Sequence, residues 1–169
     1  MDAASWGFVG TLLGAFVGAT SSIAATAISS RNAFRLQQST KEYERAELAR
    51  AFQRETLLSV QEAVQDLMRS VAKVHLADEA AFRETKQWGV NQLPDDLAEN
   101  YRILSQRAHA LAVRIADDSL REKIQEVRAK AGCITSAKSY TDATEQFTAL
   151  TFEYTRTMEH LGSVLRTTY

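Results

Sequence analysis

Cysteine is nearly absent. Cys133 stands alone in a chain of 169 residues, so neither an internal disulfide nor a thiolate metal cluster can form, and this usage fits a reducing compartment. Proline is equally scarce, with Pro94 the single example. Few breakers mean long helices. Of the seven glycines, Gly7, Gly10, Gly14 and Gly18 crowd into the opening segment, and Gly89, Gly132 and Gly162 are scattered over the rest. Charge of one sign is also missing: the formal net charge is −1, and setting Asp2 aside leaves 20 basic against 20 acidic residues. A neutral chain of this kind lacks the electrostatic footprint of a nucleic-acid binder, so no nucleic-acid partner is expected. It does not look like a polyanion or an acidic tail either.

The most informative absence is local. Between Ala3 and Ser30 there is no charged residue. A helix of about 20 residues, rising about 1.5 Å per residue, crosses a hydrocarbon core. Phe8, Val9, Leu12, Leu13, Phe16 and Val17 supply the apolar first half; Thr20, Ser21, Ser22 and Thr26 dilute the second. Their hydroxyls can bond back to the helix, which softens the cost of burying them. The length without charge favours a transmembrane helix, residues 3–30, over a buried helix of a soluble core. The flank Met1-Asp2 lacks the positive start of a cleaved signal peptide. Arg31, Arg35 and Lys41 follow the apolar run with no acid among them. The positive-inside rule then sets the N-terminus outside and residues 31–169 in the cytoplasm of a plasma or inner membrane. Trp6 would lie at the outer interface, and Arg31 and Arg35 would snorkel to the inner headgroups.

Gly10, Gly14 and Gly18 form GxxxGxxxG, continued by the small residues Ser22, Thr26 and Ser30. Spacing by four places them on one helix face. Where lipid supplies no hydrophobic drive between helices, close backbone approach across such a face is a main source of association. The expected partners are therefore the lipid bilayer and further copies of the chain, with another membrane protein as the alternative. The association residues are Gly10, Gly14, Gly18 and Ser22.

Beyond the span, residues 32 to about 86 read as one helix, with candidate breaks at Ser29-Ser30 and at Ser39-Thr40, where Ser39 and Glu42 have capping-box spacing. Leu57, Val60, Val64, Leu67, Val71 and Val74 alternate by three and four, a heptad seam that serves either an internal bundle or a coiled coil between chains. Upstream the same register meets Arg50 and Gln53 and weakens. Glu42–Arg45 and Glu47–Arg50 are spaced to pair on a charged surface. Gly89 reads as the stop, residues 88–93 as a loop, and Pro94 with Asp95 and Asp96 as a helix start. Leu97, Tyr101, Leu104, Ala108, Leu111 and Ile115 form the next stripe. Asp117-Asp118-Ser119 marks a restart or kink, and Leu120, Ile124, Val127 and Ala131 continue to Gly132. A last helix begins near Ser139 or Thr141 and presents Phe147, Tyr154, Met158, Leu161 and Leu165. It is rich in threonine, a poor helix former. The fold class expected is all-α: the transmembrane helix, then an elongated antiparallel three- or four-helix bundle.

No catalytic, cofactor or metal site is expected. A phosphate loop is excluded because no lysine follows the glycines. His75 and Glu79 have i,i+4 spacing, but His75, His109 and His160 fall on different predicted helices. Nothing in the sequence places a nucleophile beside a base.

Trp6-Gly7, the glycines at 10, 14 and 18, and Arg31 and Arg35 leading into a charged helix resemble the opening of small uncharacterised bacterial proteins, notably of actinobacteria and their phages. The resemblance covers about the first third of the chain. It implies a one-pass anchor with a cytoplasmic helical domain, and no activity. The expected role is a non-enzymatic anchored interaction or scaffold protein; the alternative is an oligomeric membrane effector, such as a pore-forming toxin or a phage-defence or phage-exclusion protein.

Overall fold

The computed structural model describes residues 3–89 and 95–169, with side chains described throughout these except at residues 3–9, 12 and 24. The described residues form four helices and no strand: α1 (Ala3–Thr85), α2 (Asp95–Ala112), α3 (Asp118–Thr135) and α4 (Tyr140–Thr167). The chain divides into two compact units, Met1–Leu48 and Ala49–Tyr169. The expected loop from Val90 to Leu93 and the role of Pro94 lie outside the described residues.

Neither candidate break in α1 is used. Residues 29–30 and 39–40 are helical, and Thr40 turns its hydroxyl back to the Leu36 carbonyl at 2.9 Å. The helix ends earlier than Gly89 suggests, because Lys86 itself takes the left-handed conformation (φ 56°). Its N–H donates to the Phe82 carbonyl at 2.8 Å, and Thr85 accepts from the Gln87 N–H at 3.2 Å. Gly89 (φ 77°) serves the turn that follows.

In the C-terminal unit one core draws on all four helices. The whole heptad seam, Leu57 to Val74, is buried, and Leu57, Val60, Val64, Leu67 and Val71 share a cluster with Ala108, Ala112, Ile115, Leu120, Ile124, Val127, Ala131, Leu150 and Leu161. The seam is therefore spent inside one chain and offers no coiled-coil surface. Burying a leucine or valine side chain contributes about 1.5–3 kcal/mol relative to leaving it in water, so this stripe alone fixes which face of α1 points inward.

The connections follow from local chemistry. Asp95 and Asp96 occupy the first turn of α2, where carboxylates meet the positive end of the helix dipole. Asp117 resolves the restart-or-kink alternative as a true restart, since its carboxylate caps α3 by accepting from the Leu120 N–H at 2.7 Å. Ser139 caps α4 by accepting from the Asp142 N–H at 3.2 Å. The threonines of α4 do not break it: Thr144, Thr148, Thr151 and Thr155 each donate to the carbonyl four residues earlier. Phe147, Tyr154, Met158 and Leu165 pack against the core from α4; Leu150 and Thr157, absent from the simpler sequence stripe, are its most deeply buried positions with Ala143.

Candidate functional site

The glycine stripe lies wholly in the N-terminal unit. A Cβ placed on Gly10, Gly14 or Gly18 would meet nothing within 4 Å, so none of the described residues fills the groove that the missing side chains leave. Ser22 is exposed on the same four-residue spacing. Around the helix, Leu13, Phe16, Val17, Ile23 and Ile28 are all exposed as well. This helix is long and apolar enough to cross a membrane, and its apolar window has no buried residue. A soluble core helix would bury such side chains.

The hydroxyls in this stretch are satisfied by their own backbone. Thr20 donates toward the carbonyls of Phe16 (2.9 Å) and Val17 (3.0 Å), and Thr26 donates to Ser22 at 2.8 Å. Internal satisfaction lowers the cost of placing these groups in hydrocarbon.

Trp6 falls within α1, but its side chain, like those of Phe8, Val9 and Leu12, lies outside the described residues. Arg31 and Arg35 are exposed and line one shallow depression with Ser30 and Phe34. A second depression, one turn on, is lined by Phe34, Gln37, Gln38, Lys41, Glu42 and Arg45. The expected Glu42–Arg45 pair is not among the ion pairs of the described residues; Glu42 instead accepts from the Gln38 amide at 3.2 Å.

Several titratable groups of the C-terminal unit make tertiary contacts. His75 is buried and stacks on Phe147 at 4.7 Å between centroids, with 13° between planes. Glu79, its i+4 neighbour, accepts from Arg83 at 2.9 Å and from the Tyr140 hydroxyl at 3.2 Å. His109 Nδ1 lies 3.1 Å from both the Gln125 amide nitrogen and Arg128, and Arg128 also donates to the Ser105 carbonyl at 3.0 Å, which ties α2 to α3. His160 lies 3.9 Å from Asp117. Among the described residues no group of three His, Cys, Asp or Glu side chains could hold a metal ion. Burial pushes the Tyr101 phenol above its usual value, with the charge of Arg128 opposing and Cys133 adding to the rise. Arg102, hydrogen-bonded to Glu99, holds that exposed carboxylate below its usual range.

Sequence reasoning missed Phe34 and gave Arg45 only as a surface partner of Glu42, not as a neighbour of Arg31 and Arg35. Their signal is angular rather than linear, because they join Arg31 and Arg35 only when the helix is viewed down its axis. Comparison with protein-family models finds no match, and neither the curated proteins nor the solved structures yield one.

Proposed function

We propose that the chain is a non-enzymatic, single-pass membrane-anchored interaction protein. Residues 3–30 cross the bilayer with the N-terminus outside, and they self-associate through Gly10, Gly14, Gly18 and Ser22. Residues 31–169 lie on the cytoplasmic side, and the helical bundle formed from Ala49 onward holds a partner or scaffolds a membrane complex. One observation carries this reading: among the described residues, the uncharged helical stretch leaves its large apolar side chains exposed and its glycine groove unfilled. Exposed apolar area of this extent marks a surface made for lipid or for another protein, and the four-residue glycine spacing fits helix pairing in lipid.

The alternative is an oligomeric pore, for which the uncharged stretch supplies no charge to line a channel. Reconstitution of the intact chain into dye-loaded vesicles separates the two. The anchor reading expects the protein to float with vesicles, resist alkaline extraction, and run as oligomers in mild detergent without releasing dye. Dye release would transfer the assignment to the effector class. Recovery of the chain as a monomer in a detergent-free high-speed supernatant would remove both readings.

A further inference from the structure

The helix immediately after the proposed span carries an unpartnered basic face. Arg31, Arg35, Lys41 and Arg45 are exposed, and among the described residues none of them joins an ion pair. In the C-terminal unit Arg69, Arg83, Arg102, Arg107 and Arg121 pair with carboxylates, while Arg54 and Arg128 donate to backbone carbonyls. At about 100° per residue, the four free cations fall within an arc of about 120°. Phe34, 67 % exposed, lies inside that arc, and its ring lines both depressions, the lower with Arg31 and Arg35 and the upper with Lys41 and Arg45. Glu42 is the one acid on the arc, and Gln38 engages it. The next acids, Glu44 and Glu47, point about 120° and 180° away from the centre of the arc. Charge is thus sorted around this helix, which a purely solvated segment has no reason to do.

We propose that this face, Arg31, Phe34, Arg35, Lys41 and Arg45, docks on the phosphates of an anionic phospholipid leaflet. The proposal rests on the membrane-anchor reading and adds the lipid class to it. Three features select lipid as the occupant. The basic arc begins at the first residue after the uncharged stretch, so the chain delivers it to the leaflet surface. Its charge complements phosphate. It carries an aromatic ring among the cations, suited to the headgroup boundary. The geometry also sets a posture. Arg45 stands about 21 Å beyond Arg31 along the axis, about two and a half times the distance over which charges act at physiological salt. Because α1 is unbroken through residues 29–30 and 39–40, Lys41 and Arg45 approach the headgroups only if the helix tilts as a whole with this face toward the leaflet.

The test uses the full chain in vesicles of phosphatidylcholine containing one part in five of phosphatidylglycerol, with spin-labelled lipids reporting which headgroup the protein immobilises. The wild type is expected to prefer the glycerol lipid over the choline lipid about threefold, and the preference should fall with added salt. R31Q/R35Q and K41Q/R45Q should each remove part of it, and the fourfold variant all of it. Flotation and alkaline resistance should be unchanged in every variant, because the uncharged span is intact. Inserted protein with no lipid preference, or a K41Q/R45Q variant equal to wild type, overturns the docking face and leaves the anchor standing. A chain that fails to insert overturns both. Binding of soluble polyglutamate to detergent-dispersed protein, with no lipid preference in vesicles, assigns the face to an acidic protein instead and also overturns the proposal.

Discussion

Gln53 on α1 and Ala116 in the α2–α3 connection are joined by a hydrogen bond, the Ala116 N–H donating to the Gln53 side-chain oxygen at 3.1 Å. The same carboxamide donates from its nitrogen to the Arg114 carbonyl, also at 3.1 Å. One side chain therefore satisfies a donor and an acceptor that the backbone exposes where α2 ends and Asp117 starts α3. In the heptad register Gln53 looks like a fault in an apolar seam. In three dimensions it is the residue that clips the turn to α1.

Replacing Gln53 by leucine tests which description governs. Heptad logic alone expects a gain in stability from the added apolar surface. The hydrogen-bond account expects a loss of about 1–3 kcal/mol, because two backbone groups lose a partner and water replaces it only in part. Denaturant unfolding followed by far-UV circular dichroism reads the sign directly; a raised midpoint for Gln53→Leu would refute the clip.

The seam itself makes a paired prediction. Leu67 is 1 % exposed and Leu58 is 51 % exposed, although they lie on the same helix with the same side chain. Leu67→Ala should cost about 2–5 kcal/mol through lost burial and a residual cavity. Leu58→Ala should stay within about 0.5 kcal/mol. Equal losses at the two positions would mean that Leu58 is covered in solution by something outside this chain.

These contrasts show what could be read from the sequence. The three- and four-residue spacing of Leu57 to Val74 is strong enough to name the buried face, and Asp117 and Ser139 announce helix starts because their side chains act locally. The end of α1 is different. Trp88 donates to the Ala137 carbonyl at 2.9 Å, and Phe82 stacks on Tyr140 at 4.9 Å, so contacts with the α3–α4 connection accompany the early stop at Lys86. No local motif encodes a contact across about fifty positions, and the linear reading chose Gly89. The basic arc was hidden for a related reason: its members are neighbours in helical phase, not in order. The glycine stripe was legible as spacing, and the structure adds that its groove is open.

Tyr101 gives a pH prediction with a defined sign. Its phenol is half-buried, and burial raises its pKa above the ordinary value of 10.0. The folded state thus holds the proton more tightly than the unfolded chain. The associated stability is complete below pH about 10 and is lost as pH rises through the folded-state value. The Tyr101→Phe variant should lack this alkaline loss, and the difference between the two ultraviolet titrations should show one phenol ionising late. A Tyr101 signal that titrates with the exposed tyrosines would contradict the burial.

Gly14→Ile addresses the association face. A Cβ added at residue 14 meets nothing within 4 Å beyond its own helix backbone, so helicity and the unfolding midpoint of the C-terminal unit should match wild type. Isoleucine also raises the apolarity of the span, so membrane insertion should be retained. Only contacts with another helix are obstructed, and detergent-resistant oligomers should disappear. Oligomers that persist would exclude the glycine face as the contact, whatever else joins the chains.

Orientation is best tested with thiols, because the native Cys133 is exposed. A buried thiol would escape labelling on either side of a membrane; an exposed one escapes only when the membrane shields it. With residues 31–169 in the cytoplasm, a membrane-impermeant maleimide should leave Cys133 unmodified in intact cells and modify it once the membrane is opened. Cysteine placed at Ala3, in a chain where Cys133 is replaced by serine, should show the opposite pattern and label in intact cells. Labelling of Cys133 from outside would invert the topology, and the basic face of residues 31–45 would then meet the outer leaflet. The two sides are distinguished by where Arg31, Arg35 and Lys41 stand, since these flanking cations are what the positive-inside rule acts upon. Exchanging Arg31 and Arg35 for glutamine while adding two lysines before Trp6 should accordingly shift part of the population to the reverse orientation, read as Cys133 becoming reactive in unopened cells.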